Sequence, residues 1–333
     1  MSIRTVGVVG TGVIGSSWIG LFLAHGLQVI VSDPASGAES KLAAYLQAIW
    51  PTMQKSGLAP NAALTNYRFV GAQFKHHFAN VDFVQENAPE RIELKTDILG
   101  EIDAATRPDV VIASSSSGIP SSRFISKCAV NAGRVLIGHP FNPPHLMPLV
   151  EVVPHAETAA ASTETAMNFY KSLGRKPVLI RQEIPGFAAN RLQAAVCNEA
   201  YSLVSRGVLS AQDLGESTCG LTTYLCTCLL TREPDTCVTS SLGPRWAVTG
   251  PLLSNAMGGG GGTDGFKHFL EHLGPATRSW MDDMQAHAFQ WTPEGLATLR
   301  ESVAKELQGK DTKELERKRD QCLVEVLRVK GEM

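Results

Sequence analysis

Two residues able to do acid–base chemistry, His139 and Glu151, each sit in or beside an apolar, strand-like run. Arg134-Val135-Leu136-Ile137 leads into His139, and Leu149 to Val153 carries Glu151. Pro140, Pro143, Pro144 and Pro148 lie between them, each fixing its own φ and biasing the preceding residue towards extended geometry. A histidine and a carboxylate therefore fall at the facing ends of two strands joined by a stiff connector. Such a frame suits a general base and the acid that orients it. A neutral surface histidine on a proline-rich loop is the alternative, and the catalytic reading gains weight only from residues elsewhere.

The strongest company is at the N-terminus. Val6-Gly7-Val8-Val9 reads as a buried strand and runs directly into Gly10-Thr11-Gly12-Val13-Ile14-Gly15. A helical stretch from Ser16 to Gly26 follows, then a strand from Leu27 to Ser32 that ends at Asp33. Gly10 permits the tight turn, Gly12 lets backbone approach a pyrophosphate, and Gly15 lets helix and strand pack closely. The helix start, with Val13 and Ile14, offers unpaired N–H groups and a positive dipole end to phosphates. Asp33, about 20 residues on, is placed to accept from an adenosine ribose. A carboxylate there repels a 2′-phosphate, so the expected cofactor is NAD rather than NADP.

The elements that must position these residues follow in alternation. Ser40 to Phe78 is helical in pattern with expected breaks at Pro51 and Pro60. Asn80 to Glu86 returns as a strand, Glu90 to Ile102 as a helix, and Asp109 to Ala113 as a strand emptying into Ser114-Ser115-Ser116-Ser117-Gly118. In a doubly wound sheet, loops beyond the carboxyl ends of strands face the ligand crevice. Four hydroxyls there could bind cofactor and substrate oxygens, or form only a solvated turn. Val135 to Ile137 is then a further strand of the same sheet, with His139 on the crevice side.

Taken in order, Gly10 to Gly15, Asp33, Ala113 to Ser117, His139-Pro-Phe-Asn-Pro-Pro, Leu149-Val-Glu151-Val and Pro185-Gly-Phe-Ala-Ala-Asn190-Arg191 resemble the 3-hydroxyacyl-CoA dehydrogenase family. Val150 to His155 and Leu242-Gly-Pro-Arg-Trp-Ala247 look more like its lambda-crystallin branch, which includes L-gulonate 3-dehydrogenase and L-carnitine dehydrogenase. The resemblance implies an α/β Rossmann-type NAD-binding domain over 1–184 and an all-α substrate and dimerisation domain over 185–333. It implies oxidation of the 3-hydroxyl of a 3-hydroxy acid or 3-hydroxyacyl-CoA by a homodimer. By the same resemblance His139 is the base and Glu151 the carboxylate that orients it. Ser117 and Asn190 hydrogen-bond the substrate oxygen, and Glu90 and Lys95 lie near the nicotinamide ribose. The family usually has Thr where Ser116 stands, which keeps the hydroxyl. Without the Pro-Gly-Phe run before it, Asn190 would read as an ordinary polar residue at a helix start. A non-catalytic, crystallin-like NAD-binding protein is the rival of a different class, and an intact Ser117, His139, Glu151 and Asn190 argues against it.

From Phe187 onward the pattern is helical: Asn190 to Arg206, a helix opening near Ser210, Arg245 to Ala256, and a long charged one over Glu294 to Lys330. Gly258 to Gly262, five glycines in a row, reads as a mobile loop. One stretch breaks the pattern. Ser210 to Asp213 is a capping box, yet Gly215 to Pro234 holds three cysteines and continues no helical face. Without it, Leu214, Cys237, Val238, Ser241 and Leu242 form one stripe at helical spacing, stopped by Gly243. Codons for Gly215 to Ser217, Leu230-Thr231 and Pro234-Asp235 can spell a splice donor, branch site and acceptor. The segment reads as a retained intron; a genuine loop is the duller alternative. A zinc site from Cys219, Cys226, Cys228 and Cys237 lacks paired C-x₂-C spacing, so no metal is expected.

At 333 residues, 44% hydrophobic and 19% charged, the chain is long enough for two cores. A net charge of -2 without a Lys/Arg cluster excludes nucleic-acid and membrane-surface partners. No apolar run approaches the ~20 residues of a membrane span. A strand beginning by Val6, a terminus lacking Ser-Lys-Leu, and an odd seven cysteines point to the cytosol and against a disulfide framework.

Overall fold

Strand-like runs alternate with helical ones from Thr5 onward, and the sheet they build has helices on both faces. The computed structural model describes residues 3–205, 238–260, 262–286 and 292–330. By internal packing the chain divides into Met1–Phe187 and Ala188–Met333, against a boundary expected between residues 184 and 185.

The first unit contains β1 (Thr5–Val9), α1 (Val13–Ala24), β2 (Gln28–Ser32), α2 (Ala38–Ser56) and β3 (Tyr67–Phe69). It continues through β4 (Phe83–Glu86), α3 (Ile92–Ala105), β5 (Val111–Ser114), β6 (Val135–Pro140), β7 (Leu149–Pro154), α4 (Ala160–Ser172) and β8 (Lys176–Leu179). The strand order is β3-β2-β1-β4-β5-β6-β7-β8. Neighbours are parallel except β6 and β7, which pair antiparallel. The order reverses at β1, and the crevice beside β1 and β4 at their carboxyl ends is where such a sheet takes a ligand.

Residues alternate between the two faces, as strand geometry demands. Val6, Val8, Ala113, Leu136, Val150 and Val152 pack against Trp18, Ile19 and Phe22 of α1 and Phe169 and Tyr170 of α4. Val9, Val84, Ile112, Val135, Ile137 and Val153 meet Leu99 and Ile102 of α3 with Phe74, Phe78 and Phe124. Each Val, Leu, Ile or Phe among them contributes about 1.5–3 kcal/mol by leaving water.

The expected break at Pro51 is not there: α2 runs through it from Ala38 to Ser56. Leu42, Leu46 and Met53 are buried on both sides of the proline. That packing outweighs the loss of one N–H and the steric kink. The second-layer helix α4 and the edge strand β8 had no counterpart in the sequence reading.

In the second unit, helices span Ala189–Ser205, Gly243–Gly258, Gly265–Ala286, Pro293–Leu307 and Thr312–Lys330, with a π-helical turn at Val238–Leu242. The helix over Gly265–Ala286 was not anticipated. The single helix expected over 294–330 is two, separated at Gly309, whose φ of +76° is a left-handed stop. Within the glycine run, Gly259 serves a close crossing. A Cβ on Gly259 would lie 1.9 Å from the Gly265 carbonyl oxygen, and one on Gly265 would lie 2.4 Å from that of Ala256. The expected helix from Ser210, the segment Gly215–Pro234 and the cysteines Cys219, Cys226, Cys228 and Cys237 lie outside the described residues.

Candidate active site

The glycine loop has the geometry its spacing implies. Gly10 has φ +88°, and a Cβ there would lie 2.7 Å from the Asn87 carbonyl oxygen. A Cβ on Gly15 would meet the Gly10 carbonyl at 2.0 Å, so helix and strand pack this closely only without one. Gly12 has nothing within 4 Å of its Cβ position, leaving open space beside the helix start. Val13 and Ile14 are the first helical residues, whose N–H groups have no partner within the helix. This is a cradle for an anion, and it fits a dinucleotide's pyrophosphate. Asp33 has a further job: Oδ2 accepts from both the N–H and the hydroxyl of Thr11 at 2.7 Å, and Oδ1 accepts from Ala35 N–H at 2.9 Å. The carboxylate thus holds the loop's shape, with acceptor capacity on Oδ1 still available for a ribose hydroxyl.

His139 and Glu151 face one another across the antiparallel β6–β7 register. Nδ1 lies 2.8 Å from Glu151 Oε2, and both residues are buried. A carboxylate can only accept, so the proton of this bond sits on Nδ1, and in the neutral tautomer Nε2 is the acceptor. Phe141 and Phe187 pack on the imidazole, with centroids 5.2 and 5.7 Å away. Phe187 takes a left-handed φ of +52°, a strained conformation for an aromatic residue that aims its ring at the histidine. Gly186 N–H donates to the Gly118 carbonyl at 3.3 Å, tying this turn to the end of the serine loop.

The four serine hydroxyls do not point to ligand together. Ser114 donates to Glu86 Oε2 at 2.5 Å and accepts from Ser116 N–H at 3.2 Å. Ser115 donates to Asn87 Oδ1 and accepts from Trp18 Nε1 and Gln85 Nε2, which saturates it. Ser116 lies between Glu90 Oε2, 3.0 Å away, and the Ile119 carbonyl, 2.9 Å away, and accepts from Ile119 N–H. Neither ligand-binding hydroxyls nor a solvated turn describes the start of this run: Ser114 and Ser115 are committed internally, as a buried strand end requires. Ser117, half-buried at the loop's tip, donates its N–H to Glu90 Oε1.

Glu90 thus holds the serine loop. Lys95 is fully buried on α3, paired with Glu86. Asn190, in the helix Ala189–Ser205, lines a cavity of about 310 Å³ inside the second unit with Gln193, Cys197, Asn255 and Trp280.

Several residues here escaped the sequence reading. Gln85, wholly buried, donates to Ser115 Oγ at 2.8 Å and to the Gly138 carbonyl at 3.3 Å. Its Oε1 accepts from Tyr170 at 2.7 Å, and burial pushes that phenol's pKa up, so it stays a neutral donor. His145, in the proline connector, is bound to α1: Ser17 Oγ lies 2.7 Å from its Nδ1 and accepts its N–H at 3.0 Å. Polar residues at apolar strand ends, Gln85 and Glu86 above all, were the available signal. Among the described residues, no group of His, Cys, Asp and Glu could hold a metal ion, and no helix is long and apolar enough to cross a membrane.

Comparison with known proteins agrees with this architecture. Residues 5–184 match the family described as "3-hydroxyacyl-CoA dehydrogenase, NAD binding domain". A 3-hydroxyacyl-CoA dehydrogenase of Gibberella moniliformis is 48% identical over 331 residues, covering 99% of this chain and 96% of its own. An L-carnitine dehydrogenase of Pseudomonas aeruginosa is 41% identical over 98% of this chain and 93% of its own. Among solved structures, (S)-3-hydroxybutyryl-CoA dehydrogenase of Ralstonia eutropha superposes with TM-score 0.61 at 27% identity, over 86% of this chain and 95% of that one. With its NAD-binding sheet, glycine loop and full-length relatives, the chain belongs to the 3-hydroxyacyl-CoA dehydrogenase family.

Proposed function

We propose that the protein oxidises the 3-hydroxyl of a small free 3-hydroxy acid, with NAD as acceptor and His139 as base. The observation carrying this is the His139–Glu151 pair, in which the buried carboxylate fixes Nδ1 and leaves Nε2 as the ring's other nitrogen. Bound NAD would supply the hydride acceptor for the carbinol carbon. His139 Nε2 takes the hydroxyl proton, and Glu151 stabilises the imidazolium that forms. Ser117 and Asn190 donate to the oxygen as it becomes a carbonyl, and Glu90 sets Ser117's place. Gly12, Val13, Ile14 and Asp33 hold the dinucleotide.

Both relatives' names leave the acid open between a CoA thioester and a carnitine-like compound, with L-gulonate a third candidate. A CoA tail needs cations for its phosphates, and Lys41 and Lys55 are the only lysines or arginines from Ser40 to Pro60. That favours the free acid. Turnover of NAD with L-carnitine, L-gulonate and 3-hydroxybutyryl-CoA decides it: the free acids are expected to lead, and preference for the thioester overturns the substrate assignment. Turnover of none would favour a crystallin-like binding protein.

Pairing of two subunits is the arrangement favoured by an apolar surface on the second unit. Val248, Leu253 and Met257 of the helix Gly243–Gly258 are exposed apolar residues, the kind of surface a second copy would cover. Light scattering at twice the chain mass is expected.

A further inference from the structure

The segment that follows β8 is tied to the loop that follows β5, and the ties lie wholly within the first unit. Ser121–Arg123 forms a single 3₁₀ turn, whose first N–H groups have no partner inside it. Glu183 Oε1 supplies one: it accepts from Ser122 N–H at 3.1 Å and from the Ser121 hydroxyl at 3.0 Å. Ser121 is wholly buried, so its hydroxyl needs this acceptor. At the near end of the loop, Ser116 Oγ accepts from Ile119 N–H at 3.2 Å. Between the two, Gly186 N–H donates to the Gly118 carbonyl at 3.3 Å. The loop is thus held before, at and after Gly118, the neighbour of Ser117.

Immediately after Glu183, Ile184-Pro185-Gly186-Phe187 makes a β-turn, closed by Phe187 N–H to the Ile184 carbonyl at 3.2 Å. Proline at its second position and glycine with φ +75° at its third are what a type II turn asks for. Phe187 then takes its left-handed φ of +52°, which a residue with a β-carbon adopts only at a cost. Such a conformation persists where its surroundings over-determine it. The Phe187 ring is fully buried, packs with Ile119 and Phe124 in one core layer, and lies 5.7 Å from the His139 imidazole. One carboxylate, that of Glu183, therefore sits where the strained turn and the serine loop are joined.

We propose that Glu183 is a positioning residue: an anchor that fixes the Ile184–Phe187 turn to the Gly118–Ser122 loop, and so keeps Phe187 on His139 and Ser117 in its place. It acts indirectly, through the backbone it holds. The consequence for turnover rests on His139 and Ser117 having the roles given under the proposed function; the anchor itself does not.

The test compares Glu183→Ala, Glu183→Gln, Ser121→Ala and the double variant Glu183→Ala with Ser121→Ala, measuring amide hydrogen exchange, kcat, KM and NAD affinity. In Glu183→Ala, exchange over residues 118–124 and 184–187 is expected to rise at least ~10-fold while β1 keeps its protection. Its kcat should fall roughly 10-fold, as misplaced groups at a reacting centre cause, with NAD affinity held within about 3-fold. Glu183→Gln keeps a carbonyl oxygen for both donors and should return kcat to within about 3-fold of wild type. Ser121→Ala removes one of the two bonds and should lower kcat about 3-fold, and the double variant should fall no further than Glu183→Ala alone. If Glu183→Ala does not fold, Ser121→Ala carries the comparison through its own exchange and kcat. Unchanged exchange in loop and turn would overturn the anchor. Wild-type kcat despite faster exchange would overturn the positioning role. So would an equal loss in Glu183→Gln, which would assign the effect to charge, or a loss confined to NAD affinity. Losses that multiply in the double variant would overturn the Glu183–Ser121 pairing. If the wild-type protein turns over no hydroxy acid, the proposed function fails, while hydrogen exchange still decides the anchor.

Discussion

Tyr170 fills the space where a Cβ of Gly138 would be: a carbon there would lie 2.0 Å from the phenol oxygen. The residue before the candidate base is therefore glycine because α4 packs a hydroxyl against β6. That hydroxyl holds Gln85, which bonds both the serine loop and Gly138. Gly138→Ala must push Tyr170 aside and break this link. We expect a lower melting temperature and a kcat reduced at least several-fold, both read on the purified variant. Tyr170→Phe, which only leaves Gln85 Oε1 unpaired, should cost about 1–3 kcal/mol in denaturant unfolding.

Replacing His139 by Ala should lower kcat by at least ~10²-fold, the usual scale for losing a general base. NAD affinity should hardly change, since the ring does not form the glycine loop. Glu151→Gln should act in the same direction, because an amide cannot stabilise the charged imidazole. Near wild-type turnover of His139→Ala would end the catalytic assignment.

NAD should bind well ahead of NADP, because the Asp33 carboxylate repels a 2′-phosphate. Since Asp33 also holds Thr11, Asp33→Ser should weaken NAD binding as well as relax the preference. Titration of both cofactors reads this out, and equal affinity in the wild-type protein would remove Asp33 from the cofactor site.

Stability should fall with acid through His145. Burial, with the nearby Arg175 guanidinium, holds its pKa below the ordinary histidine value. The unfolded chain then binds the proton at higher pH than the folded one. Stability from this group is full above about pH 6.5 and declines as pH drops through the window below it. His145→Asn, which keeps a partner for Ser17 but cannot titrate, should flatten the unfolding midpoint between about pH 5 and 7. An unchanged slope would discharge His145 from this role.

The chain lacking Gly215–Pro234 should be the more stable and more active form. The segment carries Leu221, Tyr224, Leu225, Leu229 and Leu230 without a place in the expected helical stripe, and exposed apolar residues promote association. Melting temperature and turnover of both forms, with the transcript sequenced, test it. A higher-melting full-length chain with an inactive deletion would make the segment a genuine structural element.

Local features needed nothing beyond the amino-acid order. The glycine spacing and the strand that feeds it depend on backbone sterics within about 30 residues, and β1 and the tight turn at Gly10 form where the sequence places them. β1, β4, β5 and β6 were legible as buried apolar runs, whereas which residues meet α1 and α4 and which meet α3 needed the assembled sheet. Tertiary structure decided what depends on partners remote in the chain. The antiparallel register sets His139 opposite Glu151, and no propensity encodes a register. The pairing of Lys95 with Glu86 and the Ala88 carbonyl likewise joins residues of α3 to the end of β4. Pro51 read as a break until packing on both sides of it held the helix straight through. Hydrogen-bond saturation and buried contact are properties of the assembled neighbourhood, which a residue's own type does not contain.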